Sequence, residues 1–203
     1  MRCIGFCCIG ILQEECFMRK NFGSKPVCYP QPVFIIGTYD ETGKPDAMNA
    51  AWGGISEENE VSICISEDHK TTENVLLKKA FTVSMGTADQ LVACDYVGIV
   101  SGKKEPDKVA KAGWTAVKSE FVDAPLFAQL PMAMECELIS YDPASCRLVG
   151  RIVNVSADES ILNEKGVVDP AKLRPITFDP MNNAYLVLGE KVGNAFADGV
   201  QLK

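Results

Sequence analysis

Between Met48 and Val75 the chain carries two short runs whose side chains suit a bound ligand. One, His69-Lys70-Thr71-Thr72-Glu73-Asn74, stands directly ahead of an apolar and basic stretch with helical composition. A helix start leaves its first N–H groups without intrahelical partners and carries the positive end of the helix dipole, so it attracts anions. Lys70 adds a full charge there, and the hydroxyls of Thr71 and Thr72 are able to donate to phosphate oxygens. The same threonines equally suit a local role, capping the helix while Lys70 points into water. The other run, Asn49-Ala50-Ala51-Trp52-Gly53-Gly54, sets one indole among small residues. A flat ligand can lie against so bare a backbone and take hydrogen bonds from its amides; alternatively, small residues only let a neighbouring strand pack closely. A ring-sized bare surface and a phosphate cradle, about twenty residues apart, describe a mononucleotide-like cofactor.

Other chemistries find less support. His69 is the only histidine, which excludes a poly-histidine metal centre and limits any Ser-His-Asp machinery to that residue. The nine cysteines are scattered, and from Cys28 onward no two are spaced as zinc or iron–sulfur ligands. Several fall in apolar strands, where a thiol behaves as a small hydrophobe, so they read as reduced and the protein as cytoplasmic. No metal site and no catalytic side chain is expected. Gly98-Ile99-Val100-Ser101-Gly102-Lys103 mimics a phosphate-binding P-loop, but it is one residue short and has Lys104 where a magnesium-binding hydroxyl belongs. A dinucleotide-binding glycine fingerprint is absent.

The 203 residues suffice for one sizeable core, with 47% hydrophobic and 23% charged residues as in ordinary globular domains. A net charge of −7 argues against nucleic-acid binding, while a single phosphate needs only a local positive spot. Residues 1–17 differ from the rest: Cys3 to Leu12 is apolar but too short to span a bilayer, and four cysteines crowd the segment. They are expected to be an N-terminal extension, with residues 18–203 forming the domain and no membrane association.

Turn residues divide the remainder into short β-rich runs: Val33 to Tyr39, Asp46 to Gly54, Val61 to Ile65, Phe81 to Met85, Met132 to Tyr141, Cys146 to Val155 and Ala184 to Leu188. Helices are predicted at Glu73 to Lys79, Gln90 to Tyr96, Asp107 to Ala112, Ser160 to Glu164 and Val192 to Phe196. Short strands with helices gathered mainly mid-chain predict a mainly β fold with helical insertions, an antiparallel barrel.

Five pieces in order carry a family resemblance: Asn49-Ala50-Ala51-Trp52, His69 to Asn74, Asp95 to Gly102, Lys111-Ala112-Gly113-Trp114 and Leu188 to Phe196. From about Met18 to the C-terminus the chain resembles the flavin reductase-like family of FMN-binding split barrels, flavoredoxin branch. The resemblance implies a six-stranded antiparallel split β-barrel, a homodimer, and FMN near the subunit interface. It implies that backbone groups of Asn49, Ala50 and Ala51 meet the polar edge of the flavin ring, with Trp52 its neighbour or else a core aromatic. Ser66, His69, Lys70, Thr71 and Thr72 would hold ribityl and phosphate oxygens. The implied function is a redox protein with tightly held FMN that serves a redox partner protein. The alternatives are an NADH- or NADPH-dependent flavin reductase and a flavin-free binding module.

Overall fold

The computed structural model describes residues 19–203, so the expected extension at residues 1–17 lies outside the described part. Local turn chemistry starts the sheet. Strand β1 (Gln31–Pro32) is followed by β2 (Phe34–Tyr39), and Asp40 Oδ1 then accepts the N–H groups of Thr42 and Lys44 at 2.8 and 2.9 Å. This aspartate-centred turn sends the chain back as β3 (Pro45–Ala50), paired antiparallel with β2 from Phe34↔Ala50 to Tyr39↔Pro45. Next come β4 (Gly53–Glu57), β5 (Glu60–Cys64), helix α1 (Lys70–Lys78) and β6 (Ala80–Met85). An insert holds α2 (Leu91–Ile99), α3 (Lys108–Lys111) and the hairpin of β7 (Ala116–Lys118) and β8 (Pro125–Phe127). The long hairpin β9 (Met132–Asp142) and β10 (Arg147–Ala157) follows, then α4 (Pro170–Leu173), β11 (Ile176–Asp179) and β12 (Ala184–Val187).

The main sheet is fully antiparallel, in the order β3-β2-β6-β9-β10-β5-β4, and it curls into a half-barrel. Seven strands replace the expected six. The run Asp46 to Gly54, predicted as one strand, breaks at Ala51-Trp52, and its halves lie at opposite edges of the sheet. Two residues span only about 7 Å, so the edges must approach each other there. The last predicted strand instead joins a separate sheet, β1-β11-β12. Helix α1 begins at Lys70, because the Glu73 N–H already reaches the His69 carbonyl at 3.2 Å. The predicted helix at Val192 to Phe196 is absent: Gly193 and Asn194 favour irregular backbone, and Asn194 N donates to Asp198 Oδ2 at 2.8 Å.

Alternation along the strands makes two cores. Phe34 and Ile36 face inward with Val61, Ile63, Val75, Phe81, Val83 and Leu148, filling the curl of the sheet. Ile35 faces the other way and packs with Ala47, Cys94, Val97, Val109, Trp114 and Phe127, gluing the insert to the outside. On that outer face the buried Glu135 carboxylate is paired, accepting from the Ser119 hydroxyl and from Asn154 Nδ2. Burial pushes the thiols of Cys94 and Cys136 up to about 11 and about 12, which leaves them unreactive.

One ion pair ties the insert to β3. Lys108, 3% exposed, meets Asp46 Oδ1 at 3.2 Å and donates to the carbonyls of Val97 and Val100 at 3.4 and 3.1 Å, at the end of α2. Removing one member of such a pair strands the other charge. Lys108→Met is therefore expected to lower the unfolding free energy by about 3–5 kcal/mol in urea titrations; a loss below about 1 kcal/mol would mean that Asp46 finds another partner.

Candidate functional site

The Asp46 carboxylate that holds Lys108 also accepts the hydroxyl of Thr71 at 2.7 Å from its other oxygen. Thr71 is the second residue of α1, so this bond fixes the start of that helix against β3. Thr72 donates its hydroxyl to the Ser66 carbonyl at 2.7 Å, closing the loop that leads into the helix. Neither threonine caps α1. The N-cap position belongs to His69, in extended conformation with φ −74° and ψ 142°, and its side chain makes no capping bond. The amides of the first turn thus keep their capacity for an external acceptor. Both threonine hydroxyls give their single hydrogen to the protein itself, Thr71 to Asp46 and Thr72 to the Ser66 carbonyl. What remains at this helix end is backbone N–H and dipole.

A cavity of about 190 Å³ lies over this end, and it gathers residues distant in sequence. Asn49 and Met48 come from β3, His69, Lys70 and Thr71 from the start of α1, and the opposite wall is the segment 97–102. That wall stands close because Gly98 has no side chain: a β-carbon there would lie 2.9 Å from Asn49 Cβ. Lys70 borders the cavity but its ammonium sits 3.3 Å from Glu41 and 2.9 Å from Glu73. The hydrogen bond to Glu73 raises the Lys70 pKa, so the lysine is a resident charge held beside the cavity.

The other expected residues divide. Ala51 and Trp52 form the connector between β3 and β4, and they line a second, open groove of about 450 Å³ against Pro26, Pro30 and Gln31. Trp52 is 55% exposed, which rules out the core-aromatic role; the buried indole is Trp114, whose Nε1 donates to Gln90 at 2.9 Å. Ala50 points into the core. Ser66 is exposed and borders neither space, contributing its carbonyl to Thr72, and Thr72 is fully buried. The structure therefore brings Asn49, His69, Lys70 and Thr71 together, places Ala51 and Trp52 at the next groove along the same backbone, and leaves Ala50, Ser66 and Thr72 behind them.

Two contributors were not among the expected site residues. The wall formed by Val100, Ser101 and Gly102 resembled a defective P-loop, and its role follows from facing the helix end, which no local pattern encodes. Gln31 lies between two prolines. Its Nε2 donates to the Ala51 carbonyl at 3.1 Å, which fixes the amide and leaves Oε1 buried without a donor. A buried acceptor of this kind at the edge of a groove suits an N–H from a ligand. Among the described residues no group of His, Cys, Asp and Glu is arranged to hold a metal, and no helix is long and apolar enough to cross a membrane.

Comparison with known proteins adds to this geometry. A family profile described as the flavin reductase like domain matches residues 27–177. The chain is similar to the flavoredoxin of Desulfovibrio vulgaris (Miyazaki F), with 36% identity, a TM-score of 0.86, and coverage of 90% of this chain and 100% of that one. It shares the fold of the flavoredoxin from Methanosarcina acetivorans, at 22% identity and TM-score 0.82, over 92% of this chain and 100% of the other. An uncharacterized protein of Aquifex aeolicus is 26% identical over 159 residues, 72% of this chain and 79% of its own.

The uncapped helix makes a test that separates stability from binding. His69→Asp supplies a side-chain cap in a backbone already suited to it, so thermal stability should rise by about 0.5–2 kcal/mol. The same carboxylate would occupy the first-turn amides and repel anions, so binding of a phosphate-bearing ligand, followed by titration calorimetry, should weaken. A variant that is more stable yet binds as before would remove the helix end from the site.

Proposed function

The chain belongs to the flavin reductase-like family and to its flavoredoxin branch, and from that premise we propose that it binds FMN and passes electrons through it. The observation that carries this reading is the meeting of Asn49 with the open end of α1 around one cavity, beside the bare connector at Ala51-Trp52. First-turn amides of α1 would hold the phosphate, aided by the charge of Lys70. Asn49 would meet the ribityl chain, and the backbone from Asn49 to Gly53 the polar edge of the ring. Gln31 Oε1, buried without a donor, would accept a ring N–H, and Trp52 would lie beside the ring face.

FMN supplies the redox chemistry when bound, and the protein supplies position, electrostatics and limited access of water. Backbone N–H groups along the connector would favour negative charge on the edge of a bound ring and so favour its reduced form. Lys70 does not need to change its protonation for this, because its carboxylate neighbours keep it charged. The buried Asp46–Lys108 pair holds the walls at fixed separation, which would keep a bound cofactor in one pose.

The same proposal includes a homodimer in a reducing, cytoplasmic setting. Ile55, Val153, Val155 and Leu186 are large apolar side chains left exposed, suited to a second copy. A redox partner protein would complete the electron path. A second reading, an NADH- or NADPH-dependent flavin reductase, is favoured by the openness of the groove beside Trp52, where a nicotinamide could stack on a bound ring.

Carrier and reductase differ in retention. A carrier keeps its FMN, since released flavin would act as a diffusing reductant. The expected outcome is a yellow protein that retains FMN through gel filtration and whose bound flavin bleaches slowly on anaerobic addition of NADH or NADPH. Rapid bleaching followed by many turnovers of added free FMN would overturn the carrier in favour of the enzyme, and a colourless chain that takes up no FMN would overturn both.

A further inference from the structure

Among the residues lining the groove beside Trp52, Gln31 combines near-complete enclosure, at 8% exposed, with an unpartnered polar atom. Its backbone is held twice by the buried Thr177 of β11. The Thr177 hydroxyl accepts the Gln31 N–H at 2.8 Å and donates to the Gln31 carbonyl at 2.8 Å. The Gln31 side chain is held by the connector, with Nε2 donating to the Ala51 carbonyl at 3.1 Å. Backbone and amide are thus both fixed, and Oε1 is left without a donor among the described residues.

No rearrangement within the chain serves that oxygen. A flipped amide would set Oε1 against the Ala51 carbonyl, oxygen against oxygen, with no donor between them. Residues 30 and 32 are prolines, which carry no N–H, and the amide of Gln31 itself goes to Thr177. On the connector the carbonyls of Ala51 and Trp52 are both taken, by Gln31 Nε2 and by the Cys64 amide at 2.8 Å. The Ala51 and Trp52 amides donate to no described residue. The groove therefore sets one acceptor with no donor next to two donors with no acceptor. An enclosed acceptor left alone is costly, and a ligand N–H would remove that cost.

Resting on the FMN reading, we propose that Gln31 determines which flavins the site accepts, its Oε1 receiving N3–H of the isoalloxazine ring while the connector amides meet the carbonyls on either side of N3. Oxidised flavin has a single ring N–H, at N3, between two carbonyl oxygens. Its N1 and N5 are acceptors and would repel Oε1. The imide edge thus reads acceptor, donor, acceptor, the complement of what Gln31 and the connector leave unspent. N3–H also persists in the reduced ring. A contact there holds both redox states alike, as a carrier that keeps its cofactor requires, whereas a contact at N5 would form only on reduction. A flavin without N3–H would leave Oε1 unpaired and be rejected for that reason.

The test titrates FMN and 3-methyl-FMN, which carries a methyl in place of the N3 hydrogen, into the flavin-free full chain and follows the quenching of flavin fluorescence. The unmodified chain should prefer FMN by roughly tenfold or more. Gln31→Met keeps the length of the side chain and drops its oxygen. It should weaken FMN by roughly tenfold and bring the preference close to one, because the discrimination runs through Oε1. Equal binding of the two flavins by the unmodified chain, or a preference that survives Gln31→Met undiminished, overturns the proposal. The midpoint potential of bound FMN separates the two ring positions. Loss of an N3 contact leaves it unchanged in Gln31→Met, and a fall in potential would overturn N3 in favour of N5. Failure of the FMN reading looks different: the chain would take up neither flavin, which overturns that reading and this contact together, whereas uptake of both without discrimination overturns the Gln31 contact alone.

Discussion

The cavity exists because one buried carboxylate is shared. Asp46, near the start of β3, accepts from Thr71 with one oxygen and pairs with Lys108 through the other. Lys108 in turn holds the carbonyls that end α2. Three elements with no sequence proximity are thereby referred to a single point: the strand that carries Asn49, the first turn of α1, and the segment 97–102. A buried pair of this kind contributes little net stability against an apolar replacement, since desolvation offsets most of the attraction. Its contribution is to placement, because in a low dielectric each group strongly disfavours any arrangement that leaves it alone. Gly102 belongs to the same constraint: a β-carbon there would collide with Asp46 Oδ1, so the wall comes as close as it does only with glycine at that position.

The second constraint is the curl of the sheet. Strands β3 and β4 are its two edges, yet only Ala51 and Trp52 separate them in the chain. The connector cannot pair as a strand on either side, and its groups are served piecemeal. The Ala51 carbonyl takes Gln31 Nε2, and the Trp52 carbonyl takes the Cys64 amide at 2.8 Å. With its flanking residues small, the connector holds the indole out toward solvent. A bare backbone, an exposed aromatic and a neighbouring cavity arise from the same break in strand pairing. The break explains why these features lie together rather than being scattered over the fold.

Most of the strands were legible because they follow from period-two alternation and from turn residues such as Asp40 and Gly43, both local signals. The helix starting at Lys70 and the hairpin of β9 and β10 were legible on the same grounds. The break at Ala51-Trp52 was not, since nothing local says that Gly53 and Gly54 will pair with Ile63 and Ser62 instead of continuing the pairing of Ala50 with Phe34. That choice is made by the curl of the whole sheet. In the candidate site, Asn49, His69, Lys70 and Thr71 stood out by type and spacing, and the structure gathers them. The roles within that group were less legible: Thr71 spends its hydroxyl on Asp46, a partner 25 residues away. Lys108 and Gln31 had no sequence signal, because a buried lysine and a glutamine among prolines acquire meaning only from what they face.

Local rules of stability are relaxed along one line of the molecule. At His69 the helix forgoes a capping side chain although its backbone is set for one. At Trp52 a large apolar ring stays in water, and at Gln31 a buried oxygen goes without a donor. Two other buried atoms lack partners, Asn74 Oδ1 and Ser84 Oγ, but both belong to the packed interior and border none of these spaces. The first three lie on the path from the end of α1, past Asn49, to the groove beside the connector. A ligand with an anionic end and a flat ring bearing an N–H would satisfy all three at once, and by binding only the folded chain it would add RT ln(1 + [L]/Kd) to stability. The deficits at these positions then make sense together, as the complement of one such ligand.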